Sequence, residues 1–461
     1  MSRKRLFLFN TAVLSVSSVL LRTAGLWFRS FITGRIGASG MGVYQLIFSI
    51  FLLGVTACTS GIGLAMTRLA AEGRGSLGCV RRCLGLALGL SFAAAGALCA
   101  GSGFIADRLI GAPAAARPLR ILAAGLPFLA CGACLKGYFY AHRNTVLPVL
   151  GDFWEQGVTV GLSVLLMDFS PLPPLEALML GSTLGEAACL VYVVPAFLLY
   201  TRRNPPPRTG GDLRSVVRIA GPMLAGSFFR NALFSVENIL IPVCLRKNGA
   251  GGTASLAQYG VMHGMVMPIL TFPLAFLSAA ASLLVPEIAA ARAAGDPGAV
   301  RRTAGSAFRW TLRLGFPAAA VFLVFADGLG ALFFGSPQAG RILRIMAPIA
   351  PLMYLDNVVD NMLKGLDQQV YSMAYNLTDS LMRVALISLA VPRFGLRAYL
   401  VILFASEIYN AALSIGRLLK VTALRVDVTE WIVLPAVTGG LLYYALLLLR
   451  ALLFQGPVFP G

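Results

Sequence analysis

The stretch VLLRTAGLWFRSFI, residues 19 to 32, is an apolar helix sequence interrupted by Arg22 and Arg29. A second stretch, SFFRNALFSVENIL at 227 to 240, sets Arg230 against Arg22 and Glu237 against Arg29, an offset of 208 residues. In each stretch the two charges are seven positions apart, so they share one helix face about two turns deep. An ionisable group at bilayer depth is costly. It is expected to face the protein interior or a watery cavity, and it is a functional candidate by default.

The whole chain places these stretches in a bilayer. Of its 461 residues 57% are hydrophobic and only 12% are charged, far from the balance of a soluble domain. Its apolar runs are about twenty residues long, the length a helix needs to cross roughly 30 Å of hydrocarbon at about 1.5 Å per residue. A membrane barrel would instead show short alternating segments. The expected fold is therefore all-α and integral to the membrane. Spans are predicted near 7–33, 40–65, 80–104, 117–136, 146–168, 176–200, 214–243, 257–284, 305–326, 341–363, 371–391, 397–418 and 431–453, thirteen in all. The basic and then apolar opening MSRKRLFLFNTAVLSVSS imitates a secretory signal, but its apolar run continues past Ser18, and it is read as a retained first span.

Lys and Arg set the orientation. If the N-terminus is cytoplasmic, 23 of the 38 basic residues fall in inner segments and 11 in outer segments or span ends, the bias expected of an inward N-terminus. The remaining four, Arg22, Arg29, Arg230 and Arg383, lie inside spans. The formal charge of +19 then needs no nucleic-acid partner, because a cytoplasmic face against anionic lipid accounts for most of it.

Several classes are excluded. The longest connections, about twenty residues, are too short to bury a core, and RRNPPPRTGGDLR at 202 to 214 reads as a linker between two halves. No phosphate-binding Gly-x4-Gly-Lys-Ser/Thr loop is present. Two histidines leave little material for a histidine-based metal or catalytic site, and no metal site or cofactor is expected. The Cys131/Cys134 pair sits inside an apolar helix and reads as two ordinary buried cysteines, since a redox motif needs an accessible turn.

Repetition extends beyond the first match. LRILAAGLPFL at 119 to 129 matches LRIMAPIAPLM at 343 to 353, Lys136-Gly137 recurs near Lys364-Gly365, Asp152 answers Asp379, and Glu186 answers Glu407. Two halves of six spans, both beginning on one side, are parallel repeats about an axis along the membrane normal, an architecture of transporters. The expected division is an N-lobe at 1–212, a C-lobe at 213–420 and an accessory transmembrane segment at 421–461.

The run RTAGLWFRSFITGRIGASGMGVYQLIFSIFLLGVTACTSGIGLAMTRLAAE resembles the first two spans of the multidrug/oligosaccharidyl-lipid/polysaccharide (MOP) flippase superfamily, in its polysaccharide-export branch. SLAQYGVMHGMVMPILTFPLAFLSAAASLLVPEIAAARAAGD at 255 to 296 is similar to the stage V sporulation protein B group, whose relatives include the lipid II flippases. The resemblance covers roughly residues 5 to 420. It implies alternating-access translocation of an undecaprenyl-diphosphate-linked oligosaccharide or peptidoglycan precursor, with no bond chemistry. Members carry twelve or fourteen spans; thirteen departs from both at 421–461.

A guanidinium offers a fixed fork of donors to phosphate oxygens. Arg22 and Arg29 resemble the paired cavity arginines of lipid II flippases and are assigned as a diphosphate clamp, with Arg230 as a third contact. The alternative is that acidic neighbours neutralise each arginine and the pairs only help helices pack. Asp379 and Arg383 have the i, i+4 spacing of an intrahelical ion pair. Glu186, Glu407, Asp356 and Glu237 are cavity or ion-coupling candidates, for H+ or Na+, or partners of an arginine. Asp152, Glu155 and Asp360 lie near span ends, where snorkelling is cheap. His263 reads as a packed or hydrogen-bonded histidine rather than a proton relay.

Two alternatives stay open: a cation-coupled multidrug antiporter of the same superfamily, and a non-transporting scaffold in envelope synthesis. The expected setting is a bacterial cytoplasmic membrane. The chain is expected to act as a monomer, with a lipid-linked sugar and membrane lipids as partners and cell-wall synthesis proteins as candidates.

Overall fold

The computed structural model describes residues 3–207, 212–424 and 426–453. The tip of the predicted linker, 208–211, lies outside the described residues, as do Arg425 and the end of the accessory segment, 454–461. The described residues are helical and hold no strand. In chain order the α-helices are α1 (Arg3–Thr59), α2 (Ile62–Ala71), α3 (Leu77–Phe104), α4 (Ala116–Ala123), α5 (Leu126–Ala141), α6 (Val146–Phe169), α7 (Pro174–Arg203) and α8 (Leu213–Lys247). They continue as α9 (Gly252–Tyr259), α10 (Met267–Leu270), α11 (Leu274–Ala293), α12 (Pro297–Phe334), α13 (Pro337–Met346), α14 (Ala350–Gly365), α15 (Gln369–Thr422) and α16 (Leu434–Leu453).

Nine helical runs among the described residues are long and apolar enough to cross a membrane, and the protein is a multi-pass membrane protein. Nine is fewer than the thirteen predicted spans, partly because two runs each join a predicted pair. The first, Val13–Ala71, has 59 residues; as one straight helix it would be about 90 Å long, roughly three hydrocarbon thicknesses. It breaks at Gly37 (φ 67°, ψ −178°), and α15 breaks at Gly395 (φ 63°, ψ −145°). Only glycine tolerates that backbone region, so one residue makes the kink between two helices.

The surface confirms the environment. Phe169, Leu332, Val191 and Leu452 are each more than two-thirds exposed, as expected where lipid rather than water covers the side chains.

Packing defines two compact units: residues 1–21 with 35–257, and residues 22–34 with 258–461. These units follow contact and the lobes follow repetition, so they are different divisions of one chain. In the first unit α2 packs on α5 through the buried Ile62, Met66, Leu69, Leu126, Leu135 and Tyr138. The helices α6 and α7 approach so closely that a Cβ on Gly185 would lie 1.9 Å from Thr159 Oγ1, the small-residue contact by which membrane helices gain van der Waals packing. One face of α8 bonds to the second half of α1: Asn231 donates to Thr56 Oγ1 (2.6 Å) and Ser235 to the Ser49 carbonyl (2.7 Å). Asp212 caps α8, and hydrogen bonds from the Ser215 hydroxyl and backbone N–H hold its carboxyl below the usual carboxylate range.

In the second unit α12 is flanked by α11, α13, α14 and α16. The segment 22–34 is anchored there by the buried Phe28 and Ile32 and by Ser30 Oγ, which donates to the Phe333 carbonyl. The accessory segment is part of this unit. Trp431 is buried against Phe308, with Arg309 over its ring at 5.7 Å, and Arg450 donates to the Val324 carbonyl at 2.9 Å.

The repeat is visible in the backbone. Helices α5 and α14 both have sixteen residues, and their ends, 126 and 141 against 350 and 365, differ by a constant 224. The same offset relates the left-handed residues Gly111 and Gly335, and Arg143 and Asp367. Each helix end closes alike: Asn144 N–H donates to the Phe139 carbonyl at 3.0 Å, and Gln368 N–H to the Leu363 carbonyl at 2.8 Å. This register corrects the pairing read from sequence by about one turn. Lys136 corresponds to Asp360 rather than Lys364, Asp152 to Asn376, and Glu155 to Asp379.

Candidate functional site

Arg22, Arg29 and Arg230 share one property. Among the described residues nothing forms an ion pair or side-chain hydrogen bond with any of the three guanidiniums. Arg22 and Arg230 are exposed and Arg29 is half-buried. Arg22 and Arg29 belong to the second unit, Arg230 to the first. Glu237, two turns beyond Arg230, is buried at 3% exposure and is not its ion-pair partner. The fourth intramembrane arginine behaves differently: Arg383 Nε sits 3.3 Å from Asp379 Oδ2, the intrahelical pair expected from the spacing.

The first unit carries a charged cluster between α5, α6 and α7. Lys136 Nζ on α5 lies 2.6 Å from Asp152 Oδ1 and 3.3 Å from Glu155 Oε2 on α6. A cavity of about 240 Å³ opens beside them, lined also by Glu186 and Cys189 of α7. Asp152 and Glu155 therefore hold an ammonium instead of snorkelling alone.

The second unit carries the repeat-equivalent cluster, with the Asp360 carboxylate in place of the lysine and amides and hydroxyls around it. Asp360 accepts from Ser372 Oγ (2.6 Å) and Asn376 Nδ2 (3.2 Å). Asn410 Nδ2 donates to Asp356 Oδ2 (2.9 Å) and to Asn376 Oδ1 (3.2 Å). Ser406 donates to Asp379 at 2.5 Å, tying the two halves of α15 together. Glu407 lies within electrostatic reach of Asp356, Arg383 and Asp379. The Oδ1 of Asn410, a residue 6% exposed, accepts no hydrogen bond among the described residues. Amide and carboxylate oxygens are the ligand type that hard cations take.

Sequence reasoning picked out Asp356, Asp379, Arg383, Glu186 and Glu407 but missed Lys136, Ser372, Asn376, Ser406 and Asn410 as members of these clusters. Uncharged amides and hydroxyls carry no signal in a hydropathy reading; only the 224-residue register exposes them. His263 is packed and hydrogen-bonded as expected, stacked on Tyr259 at 4.7 Å with Nε2 2.7 Å from Tyr399 Oη. Cys131 and Cys134 are buried free cysteines.

Residues 227–389 match the MatE family model, and the fold is that of solved MOP-superfamily transporters. An inward-facing multidrug resistance MATE family transporter of the MOP superfamily superposes with a TM-score of 0.68 at 15% identity, covering 94% of this chain and 98% of that one. A MOP superfamily transporter from Pyrococcus furiosus, whose reversed binding-pocket polarity suggests a different function, gives 0.64 at 15% identity, covering 95% and 96%. Among curated proteins the chain is similar to stage V sporulation protein B of Bacillus subtilis, 24% identical over 93% of this chain and 86% of that protein. It is also similar to sporulation protein YkvU of the same organism, 27% identical over 36% and 38%.

Proposed function

We propose that this chain is a flippase for a lipid-linked, diphosphate-bearing oligosaccharide or peptidoglycan precursor. The observation that carries the reading is the contrast among intramembrane arginines: Arg383 has its carboxylate, while among the described residues Arg22, Arg29 and Arg230 have none. Unpaired guanidiniums at bilayer depth are expensive unless a mobile anion visits them, and a diphosphate matches their fork of donors. Likeness to stage V sporulation protein B supports the same class. In this reading the polar sugar occupies a wet path while the polyprenyl tail stays in lipid. The N-terminus is cytoplasmic in a bacterial inner membrane, and the chain works as a monomer beside cell-wall synthesis proteins.

The driving cation, H+ or Na+, is assigned to the second unit, where Asp356 accepts from Asn410 and lies within electrostatic reach of Asp379 and Glu407. The second reading, a cation-coupled multidrug antiporter, draws on the MATE neighbour; it requires carboxylates rather than arginines to meet the cargo.

Complementation separates the two. A strain depleted of its own lipid II flippase is expected to grow when supplied with this chain, and not with the Arg22→Ala, Arg29→Ala version at matched membrane levels. An intact chain that is expressed but fails to rescue removes lipid II from the substrate class.

A further inference from the structure

The 224-residue register places the Lys136 ammonium where the second unit has the Asp360 carboxylate. The contact pairs coincide: Lys136 with Asp152 at 2.6 Å, Asp360 with Asn376 at 3.2 Å, each pair sixteen residues apart. Each cluster also takes an acid from the following helix segment, Glu186 in one and Glu407 in the other, three positions out of register, with Asn410 at the place of Glu186. The same polar positions therefore occur twice: in the first copy an ammonium stands between two carboxylates, and in the second Arg383 pairs with Asp379 alone, leaving Asp356 and Asp360 to amides and a hydroxyl.

We infer that Lys136 is a tethered cation: its ammonium permanently fills the first unit's copy of a duplicated monovalent-cation site, so that only the second copy exchanges an ion with solution. The chemistry is balanced on each side. Asp152 and Glu155 direct two carboxylates at Nζ, and the cavity of about 240 Å³ leaves room for a hydrated alkali cation once the lysine chain is gone. A lysine held by two carboxylates on a neighbouring helix is not readily released, because removing it would leave both acids uncompensated in a low-dielectric setting. Lys136 would thus be a determinant of ion stoichiometry, one cation per cycle where an unblocked duplicate would take two. The second half of this statement rests on the proposed coupling site in the second unit; the first half does not.

The test is ²²Na+ binding to the purified full-length chain, comparing wild type with Lys136→Gln, Lys136→Arg and the double variant Lys136→Gln, Asp152→Asn. Lys136→Gln is expected to bind one more Na+ per chain than wild type. Lys136→Arg, which keeps a tethered charge, and the double variant, which removes a ligand, are expected to return to the wild-type number. If wild type binds no Na+ but Lys136→Gln binds one, the tethered cation stands and Na+ coupling in the second unit fails. If Lys136→Gln binds the wild-type number, the inference is overturned. Because Lys136→Gln is expected to fold less well, its thermal unfolding is followed in membranes with Na+ or with choline. Stabilisation by Na+ alone supports the vacated site, and equal behaviour in both salts overturns it.

Discussion

At the scale of single residues, a charge inside this protein is explained by what neutralises it. Asp379 is buried, accepts from Ser406 and is ion-paired with Arg383. Asp379→Ala removes that carboxylate from Arg383 and is expected to cost about 3 kcal/mol, while Asp379→Asn keeps an acceptor and costs less; thermal unfolding in detergent ranks the two. Gly137 shows a constraint of shape rather than charge, since an added Cβ would lie 2.5 Å from the Gly63 carbonyl oxygen. Gly137→Val is expected to lose about 1–3 kcal/mol by overpacking, read as a lower yield of monodisperse protein. The sequence marked Asp356, Asp379 and Arg383 because charges stand out against an apolar background. Lys136 and Asp152 were legible as charges but not as partners, for sixteen residues and a turn lie between them.

At the scale of elements, the accessory segment shows how packing and ion pairing divide the work. Glu430 faces Arg309 at 3.2 Å and Arg313 at 3.8 Å, with side chains about one-third to two-fifths exposed. Such half-solvated pairs contribute about 0–1 kcal/mol. Trp431 is 6% exposed and covers Gly305 and Phe308, and truncating a buried tryptophan costs about 3–5 kcal/mol. Trp431→Ala is therefore expected to lower the unfolding temperature far more than Glu430→Gln, and equal shifts would contradict this division. The apolar runs made the helices legible. Their junctions were less so: at Gly37 and Gly395 one residue replaces a loop, and hydropathy does not register a single left-handed glycine.

For the whole molecule, duplication was legible as recurring motifs, and the match of 119–129 to 343–353 already stood at the 224-residue offset, but the charge pairs read from sequence did not keep it. At equivalent positions the chemistry has changed sign, Lys136 against Asp360, so matching like charges with like led one turn astray. The backbone preserved what the side chains did not, in equal helix lengths and left-handed residues at a constant spacing. The arginines stood out in the sequence because an ionisable group inside a span is rare in any membrane helix; whether each has a partner was not legible there.

The central claim is that these arginines meet a lipid-linked diphosphate during translocation. Its most direct test is a flipping assay in proteoliposomes, following a fluorescent undecaprenyl-diphosphate sugar from one leaflet to the other. The intact chain is expected to accelerate transfer, and Arg22→Ala, Arg29→Ala to abolish it at least tenfold while leaving the protein folded. Transfer that is unchanged in the double variant, or a chain that moves a lipophilic cation but no diphosphate lipid, would contradict the account.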